Sequence, residues 1–282
     1  MSLINLLYLL FIGCLIFSGC SSIEEPLTDP VRRRNQVSEY IDRRSDEFLF
    51  APPSPKLQPS PSYSWEQPSP NSLPKITRDF FRCQGSEFNP MRTVTTASGP
   101  PQYLHDCGGM DRHSLPVRDG QEFIYPILIE LLNAIQTKTG KRVIITSGHR
   151  CPTHNTYVDD SRDNSTSKHT IGAAVTFYVQ GMEYKPSLVV QQLFNYYNEA
   201  AKYKDLPDYQ LFKTDDSPKQ PTKTPAWLNK EIVARIYEST EGRNCDNRHP
   251  YPYISLTVRY DSTLNKPVSY YWDKAHRSYM SW

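Results

Sequence analysis

The alternation of hydrophobic and polar positions predicts a folded domain that begins near Ile76 and mixes helices with strands. Residues 121–139 are apolar on nearly all sides, with a helix start near Phe123 and a glycine stop at Gly140. Residues 187–203 have the spacing of an amphipathic helix. The shorter apolar runs have the length and composition of strands: Val143–Thr146, Ala173–Val179, Glu231–Glu238, Tyr253–Tyr260 and Val268–Trp272. Because helices and strands do not alternate as regular βαβ units, the pattern predicts an α+β fold, a small antiparallel sheet with flanking helices.

Two polar stretches interrupt this pattern. Residues 152–168 are rich in Asp, Asn and Ser, which is typical of a loop. Residues 205–226 are rich in Pro, Lys and Asp, and we expect them to form an exposed insertion.

The N-terminal region has the organisation of a tether. Residues 3–17 carry no charge and are shorter than the roughly 20 residues that a spanning helix needs, so they predict a signal peptide over 1–19 rather than a membrane span. The next expectation is a membrane-proximal helix within 20–50, where Asp29 and Pro30 form a start signal and Val37, Tyr40, Ile41 and Phe48 share one face. Residues 51–75 are rich in Pro and Ser and predict a semi-rigid linker to a domain over 76–282.

The segment Phe17-Ser18-Gly19-Cys20 resembles the lipobox of bacterial lipoproteins. The resemblance implies that Cys20 is acylated and that the protein is lipid-anchored in the bacterial cell envelope, facing the periplasm. An uncleaved signal anchor is the alternative.

Net charge, mean hydropathy and cysteine content limit the classes of protein to which this chain can belong. A formal charge of +2 over 282 residues argues against a nucleic-acid-binding surface, and a mean hydropathy of −0.61 excludes a polytopic membrane protein. Once Cys14 is removed with the signal and Cys20 is acylated, the remaining cysteines form an even set that suggests two disulfides of undetermined pairing. These candidates are Cys83, Cys107, Cys151 and Cys245. None of them forms a C-x-x-C pair, which disfavours a structural zinc cluster.

Two polar motifs in the predicted domain contain residue types that are suited to catalysis or metal binding. They are Ser147-Gly148-His149-Arg150 at the end of the first strand and Ser167-Lys168-His169-Thr170-Ile171-Gly172, which leads to Thr176 in the second strand. Over residues 119–260 this arrangement resembles the zinc D-Ala-D-Ala carboxypeptidases, a family of peptidoglycan metallopeptidases. The resemblance implies a peptide-binding site that includes Ser147, Arg150, Ser167 and His169.

The resemblance also implies a zinc ion with three protein ligands, and this sequence departs from that set. His169 occupies the first ligand position, but Thr176 stands where the family has Asp, and Ser255 stands where it has His. Neutral hydroxyls are poor zinc ligands, so we expect no zinc cofactor and a degenerate enzyme. The remaining family positions are Arg150, for a carboxylate or an oxyanion, and Tyr253 or Thr257, for acid–base chemistry.

Three functions remain open at this stage. The first is a non-catalytic lipoprotein that binds a peptidoglycan stem peptide or a related peptide. The second is an active zinc D,D-carboxypeptidase with relocated ligands, built from His169, His154 and a loop acid such as Asp159, Asp160 or Asp163, with His149 and His249 also nearby in sequence. The third is an envelope interaction protein that uses the fold only as a scaffold.

Overall fold

The computed structural model describes residues 40–42, 73–95, 99–159, 166–215 and 221–281. The predicted signal peptide, Cys20, most of the predicted membrane-proximal helix and the Pro/Ser-rich linker therefore lie outside the described residues. Within the described ranges, no helix combines the length and the apolar character that crossing a bilayer requires.

The described chain contains helices and mainly antiparallel strands. The strands are β1 (Tyr40–Asp42), β2 (Arg92–Val94), β3 (Gln102–Leu104), β4 (Val117–Arg118), β5 (Gln121–Glu122), β6 (Val143–Ser147), β7 (Ala174–Val179), β8 (Lys213–Asp215), β9 (Ala226–Leu228), β10 (Ile232–Tyr237), β11 (Tyr253–Val258), β12 (Tyr260–Asp261), β13 (Lys266–Pro267) and β14 (Ser269–Tyr271). The α-helices are α1 (Pro126–Thr139), α2 (Pro152–Val158), α3 (Pro186–Glu199), α4 (Pro207–Gln210) and α5 (Trp272–Arg277).

The main sheet has six strands in the order β6-β7-β11-β10-β9-β8, and every neighbouring pair is antiparallel. One face of this sheet packs against α1 and α3 to form the core, which includes Leu128, Leu193, Phe177 and Ile254. Since side chains alternate along a strand, Thr176 and Ser255, each next to a core residue, belong to the opposite face. The predicted mixture of helices with an antiparallel sheet is present in the structure.

The boundaries of α1 follow from proline and glycine. The helix begins at Pro126, three residues after the predicted start, because proline has no N–H and fits the first helical position. It ends at the predicted Gly140, whose left-handed backbone with φ of 63° closes the last turn.

Two predicted irregular stretches contain regular structure. The expected loop after Cys151 begins with α2, which starts at Pro152 and is capped by the Cys151 sulphur. The expected insertion over residues 205–226 contributes β8 and the first residue of β9, and these strands extend the sheet at one edge. In both cases backbone hydrogen bonding inside the domain overrides the local polar composition.

The predicted helix near the N-terminus is wrong for residues 40–42. These residues form β1, which pairs in parallel with β14 from Tyr40 opposite Ser269 to Asp42 opposite Tyr271. The unpaired edge of β14 offers backbone donors and acceptors that an extended segment satisfies.

Residues 74–76, at the start of the domain, pack along α1. Ile76 is buried, and its backbone N–H and C=O both bond the side-chain amide of Asn133. The amide of Gln136 donates to the carbonyl of Pro74 at 3.0 Å. These contacts fix the segment that carries Cys83 against the core.

Candidate functional site

Two of the ligand positions that the resemblance implies, Thr176 and Ser255, meet on the face of the sheet opposite α1 and α3. Thr176 of β7 lies directly opposite Ser255 of β11 and also opposite Ser147 of β6, and Ser255 in turn lies opposite Arg235 of β10. Directly paired residues of an antiparallel sheet project to the same side. The register therefore creates a row of Ser147, Thr176, Ser255 and Arg235, which we call the hydroxyl row and which contains no acidic side chain.

His169 keeps the orientation of a metal-binding histidine. It lies in a 3-10 helix, Lys168–Ile171, that is capped by Ser167 and ends at Gly172 with φ of 69°. Its Nδ1 lies 2.6 Å from the carbonyl oxygen of Gly148; since that oxygen can only accept, Nδ1 carries the proton and Nε2 keeps its lone pair. Burial, assisted by the positive charge of Arg150, lowers the pKa of His169 to about 3, so the ring is neutral at pH 7.

Gly148 shows why the motif before Arg150 needs a glycine. A Cβ atom at this position would lie 2.5 Å from backbone atoms of Phe81. The neighbouring N–H of His149 donates to the carbonyl of Phe81 at 2.6 Å. The close approach of these two backbones places the Gly148 carbonyl where it orients His169.

The donor set at the family positions does not fit a zinc ion. The Thr146 hydroxyl donates to Oδ1 of Asn247 at 2.7 Å, so the 3.0 Å contact between the Thr146 and Thr176 hydroxyls is a bond donated by Thr176. Thr176 is thus a neutral side chain engaged in a local network, and Ser255 is a second neutral hydroxyl. Zinc sites are built from imidazole, thiolate and carboxylate ligands, of which only the imidazole of His169 is present here.

The part of the chain that the structure describes does not assemble a rebuilt zinc site around His169. Among the described residues, His169 belongs to no group of three or more His, Cys, Asp or Glu side chains close enough to share an ion. His154 is held between two carboxylates, and both ring nitrogens of His149 are buried with no hydrogen-bond partner in the described ranges. Of the loop acids, Asp160 and Asp163 lie outside the described residues.

Arg150 belongs to a buried network of charges. Its Nε–H is shared between Oδ2 of Asp246 at 2.9 Å and the hydroxyl of Ser147 at 2.7 Å. The other oxygen of Asp246 accepts from His154 Nε2 at 3.0 Å, and His154 Nδ1 lies 2.6 Å from Asp106. The side chains of all four charged residues are at most 5 % exposed. The guanidinium that the resemblance assigned to a substrate carboxylate is thus paired with a carboxylate of the protein itself.

The pKa shifts in this network follow from burial and charge. Burial opposes the protonated form of His154, but hydrogen bonds to Asp106 and Asp246 outweigh it and raise the pKa of His154 to about 10. Burial also opposes the ionised form of Asp246, but Arg150 and His154 hold the pKa of its carboxyl well below the usual value. Two cations and two anions therefore balance one another inside the domain.

The other predicted site residues have structural partners as well. Ser167 accepts the backbone N–H of His169 through its hydroxyl and caps the 3-10 helix. Tyr253 is buried and stacks on Tyr237 with ring centroids 4.9 Å apart, and its hydroxyl donates to the carbonyl of Gly242 at 2.6 Å. With its proton engaged in this way, Tyr253 is not positioned as a free acid.

A family comparison covers part of this site. Residues 107–198 match the family model of Peptidase M15. This M15-matched segment includes Ser147, Arg150, His169 and Thr176, and it is consistent with the resemblance to D-Ala-D-Ala carboxypeptidases. It ends before Ser255, so the assignment of Ser255 to the third ligand position depends on its register opposite Thr176. No curated protein and no solved structure matches the chain.

The cysteines are arranged differently from the sequence-based expectation. All four are free thiols in the structure rather than two disulfides. Cys83, Cys107 and Cys151 converge on one point together with His113, whereas the sulphur of Cys245 lies 3.2 Å from a guanidinium nitrogen of Arg248. Because three thiols share one place, the set does not divide into two pairs.

Three residues of these networks were missed in the sequence: Asp106, His113 and Asp246. Asp106 and His113 lie in segments without a recognisable motif, and Asp246 lies in a short 3-10 helix, Cys245–Asn247. A partial signal was available for His113, because Cys107, a second potential metal ligand, lies six residues before it. The partners of the two aspartates are distant in the chain and are brought close only by folding.

Proposed function

We propose that this protein is a bacterial envelope lipoprotein, anchored through Cys20, whose peptidase-like domain binds a peptidoglycan stem peptide or a related peptide without hydrolysing it. One observation carries the proposal. The three family ligand positions combine a correctly oriented imidazole, His169, with two neutral hydroxyls, Thr176 and Ser255, which lie opposite each other on the sheet. This combination supports binding without hydrolysis, because the charge that a catalytic zinc ion requires is absent from these three positions.

Hydrolysis has no supporting arrangement among these residues. A zinc peptidase activates water on its metal, and the donor set here does not hold that metal. A nucleophilic alternative would need a hydroxyl paired with a base. Ser147 instead accepts a bond from Arg150, and among the described residues no hydroxyl is hydrogen-bonded to Nε2 of His169.

Peptide binding is supported by the chemistry of the hydroxyl row. Ser147 and Thr176 are buried and bonded within the domain, whereas Ser255 is half-buried, so its hydroxyl is the member of the row that can donate to and accept from a peptide backbone. Next to Thr176 on the same face of β7, Tyr178 contacts His249 and Tyr251 with ring centroids 5.0 and 5.4 Å apart. Such aromatic groups provide apolar contact area beside the polar row.

The proposal is tested by binding and turnover on the same protein. The full-length chain in detergent is titrated calorimetrically with a stem pentapeptide ending in D-Ala-D-Ala, and release of D-Ala is assayed in parallel. We expect binding without release. Ser255→Tyr places a ring on the hydroxyl row and should weaken binding about tenfold or more, which corresponds to about 1.4 kcal/mol. Thr93→Tyr, at an exposed position of β2 outside the main sheet, is the matched control.

Distinct outcomes overturn the proposal. A folded protein that binds no stem peptide contradicts it directly. Release of D-Ala that disappears in His169→Ala establishes the active peptidase instead.

A second candidate function is favoured by the burial of the motif residues. Ser147 and Arg150 are almost fully buried and bonded to each other, and Ser167 caps the helix that carries His169. A domain in which these residues only maintain the fold would be an interaction scaffold. In that case Ser255→Tyr and Thr93→Tyr would behave alike in the stem-peptide titration.

A further inference from the structure

Outside the hydroxyl row, four potential metal ligands converge from distant parts of the chain. They are Cys83, Cys107, His113 and Cys151, and one ligand atom of each lies within 4.8 Å of all the others. Cys83, His113 and Cys151 are buried, and Cys107 is half-buried. None of these residues occupies a ligand position of the M15 resemblance, although the cluster adjoins the buried charge network, since the Cys151 sulphur accepts the backbone N–H of His154.

The distances in this cluster match the edges of a tetrahedral zinc site. With Zn–S bonds of about 2.3 Å and Zn–N bonds of about 2.0–2.1 Å, tetrahedral angles place two sulphurs about 3.8 Å apart and a sulphur and a nitrogen about 3.5 Å apart. The Cys83 and Cys107 sulphurs are 3.7 Å apart, and His113 Nε2 lies 3.5 Å from the Cys107 sulphur. These S–S and S–N distances have the values that a shared zinc ion would impose.

The surrounding hydrogen bonds also prepare the ligands for a cation. His113 Nδ1 lies 3.1 Å from the carbonyl of Ser114, which fixes the proton on Nδ1 and leaves the Nε2 lone pair directed to the cluster. The N–H of Gly109 donates to the Cys107 sulphur, and the N–H of His154 donates to the Cys151 sulphur, each at 3.3 Å. Backbone donors of this kind stabilise thiolates, the form in which cysteine binds metal.

We infer that Cys83, Cys107, His113 and Cys151 form a structural zinc site. Three thiolates and one imidazole fill the four positions that zinc prefers, which leaves no open position for water or substrate. The site has no catalytic role and is independent of the proposed function. The site joins the segment that follows the 3-10 helix Arg78–Phe81, the segment 107–113 and the start of α2, where Cys151 directly follows Arg150.

The disulfide alternative fits the same atoms less well. A disulfide has an S–S length of about 2.05 Å, whereas the Cys83 and Cys107 sulphurs are 3.7 Å apart. A bond between any two of the three thiols would also leave the third thiol and His113 without a partner. A shared ion satisfies all four residues.

Metal analysis of the full-length protein tests the inference. Protein purified under reducing conditions should contain one equivalent of zinc. Replacement of that zinc by Co²⁺ should produce a thiolate-to-cobalt charge-transfer band and the intense visible bands of tetrahedral Co²⁺. This readout uses the unaltered chain and therefore does not depend on whether a variant folds.

Variants then assign the ligands. Cys83→Ser and Cys151→Ser should each lose the bound zinc and the cobalt charge-transfer band. Cys245→Ser is the matched control, because Cys245 is a free thiol outside the cluster, and it should retain both. His169→Ala should also retain the zinc, which separates this site from the peptidase ligand positions.

Three results would overturn the inference. One is a metal-free protein that takes up neither zinc nor cobalt when its thiols are reduced. Another is zinc that remains in Cys83→Ser and Cys151→Ser but is lost in His169→Ala. The third is mass spectrometry of the protein from its native compartment that finds a disulfide among Cys83, Cys107 and Cys151.

Discussion

The buried charges around Arg150 depend on individual partner residues. Arg150 and His154 carry positive charge, and Asp246 lies between them and accepts a hydrogen bond from each. In a buried environment each charge is tolerated only because its partner is in place. Asp246 is therefore the residue on which the position of Arg150 depends.

Asp246→Asn should destabilise the protein at neutral pH. Removing one partner of a buried ion pair typically costs about 3–5 kcal/mol, because the other charge is left uncompensated. The measurement is urea-induced unfolding of the parent chain and the variant at pH 7. Equal free energies of unfolding would show that Arg150 and His154 do not depend on this carboxylate.

The same pair gives a pH dependence with a defined sign. The pKa of Asp246 is lowered in the folded state from its ordinary value of 3.8, so its stabilising contribution is present above pH 3.8 and is lost as the pH falls further. The difference in unfolding free energy between the parent and Asp246→Asn should therefore shrink as the pH falls below 3.8. A difference that stays constant at acid pH would contradict the assignment.

At the level of elements, strand register decides which residues form the site. The antiparallel pairing of β7 and β11 places Thr176 opposite Ser255, and the Ser167–Gly172 turn delivers His169 at the start of β7. Two of the three ligand positions that the resemblance implies are therefore paired by strand register, and both carry hydroxyls.

Restoring the missing side chains should restore a metal site. The double substitution Thr176→Asp and Ser255→His supplies the carboxylate and the second imidazole next to His169. We expect one equivalent of zinc more than in the parent chain, measured by metal analysis, and its loss when His169→Ala is added. The single Thr176→Asp variant is the control, and it should gain no zinc, since two ligands do not complete a site. No gain in the double variant would mean that Ser255 is not the third ligand position.

At the scale of the whole molecule, the Cys83, Cys107, His113 and Cys151 cluster connects parts of the chain that regular structure does not. The core between the main sheet and the helices is continuous and apolar, whereas residues 105–116 contain little regular backbone bonding. A metal ion at the cluster would hold these residues against the start of α2. Binding energy of that kind contributes to folding because the site does not exist in the unfolded chain.

Removing the metal should loosen one region rather than the whole fold. After treatment with a zinc chelator and a reductant, amide hydrogen exchange should become faster in residues 83–86, 107–113 and 149–151. Exchange in α1, α3 and the central strands should change little, because the apolar core protects them. Cys83→Ser should show the same pattern without chelator, while Cys245→Ser should not. Exchange that is unchanged everywhere would contradict a structural metal.

The sequence alone was sufficient where the physics is local. Gly140 marks the end of α1, and apolar runs give β6 and β7, because helix ends and strand periodicity are encoded in neighbouring residues, although the helix starts three residues after the predicted Phe123. That positions 176 and 255 carry hydroxyls instead of the ligand types that the resemblance implies is also visible in the sequence. Local signals failed for Tyr40–Asp42, whose strand depends on the distant β14.

Only the tertiary structure decided which side chains meet. The pairing of Arg150 with Asp246, the engagement of His154 by Asp106, and the convergence of Cys83 and Cys151 with His113 all join residues far apart in the chain. No spacing rule identifies these sets, because each of them combines residues from separate segments of the chain. In the sequence, the absence of a C-x-x-C pair argued against a zinc cluster. A tetrahedral site, however, requires only that its ligands lie close in space, and folding can bring together ligands that are far apart in the chain.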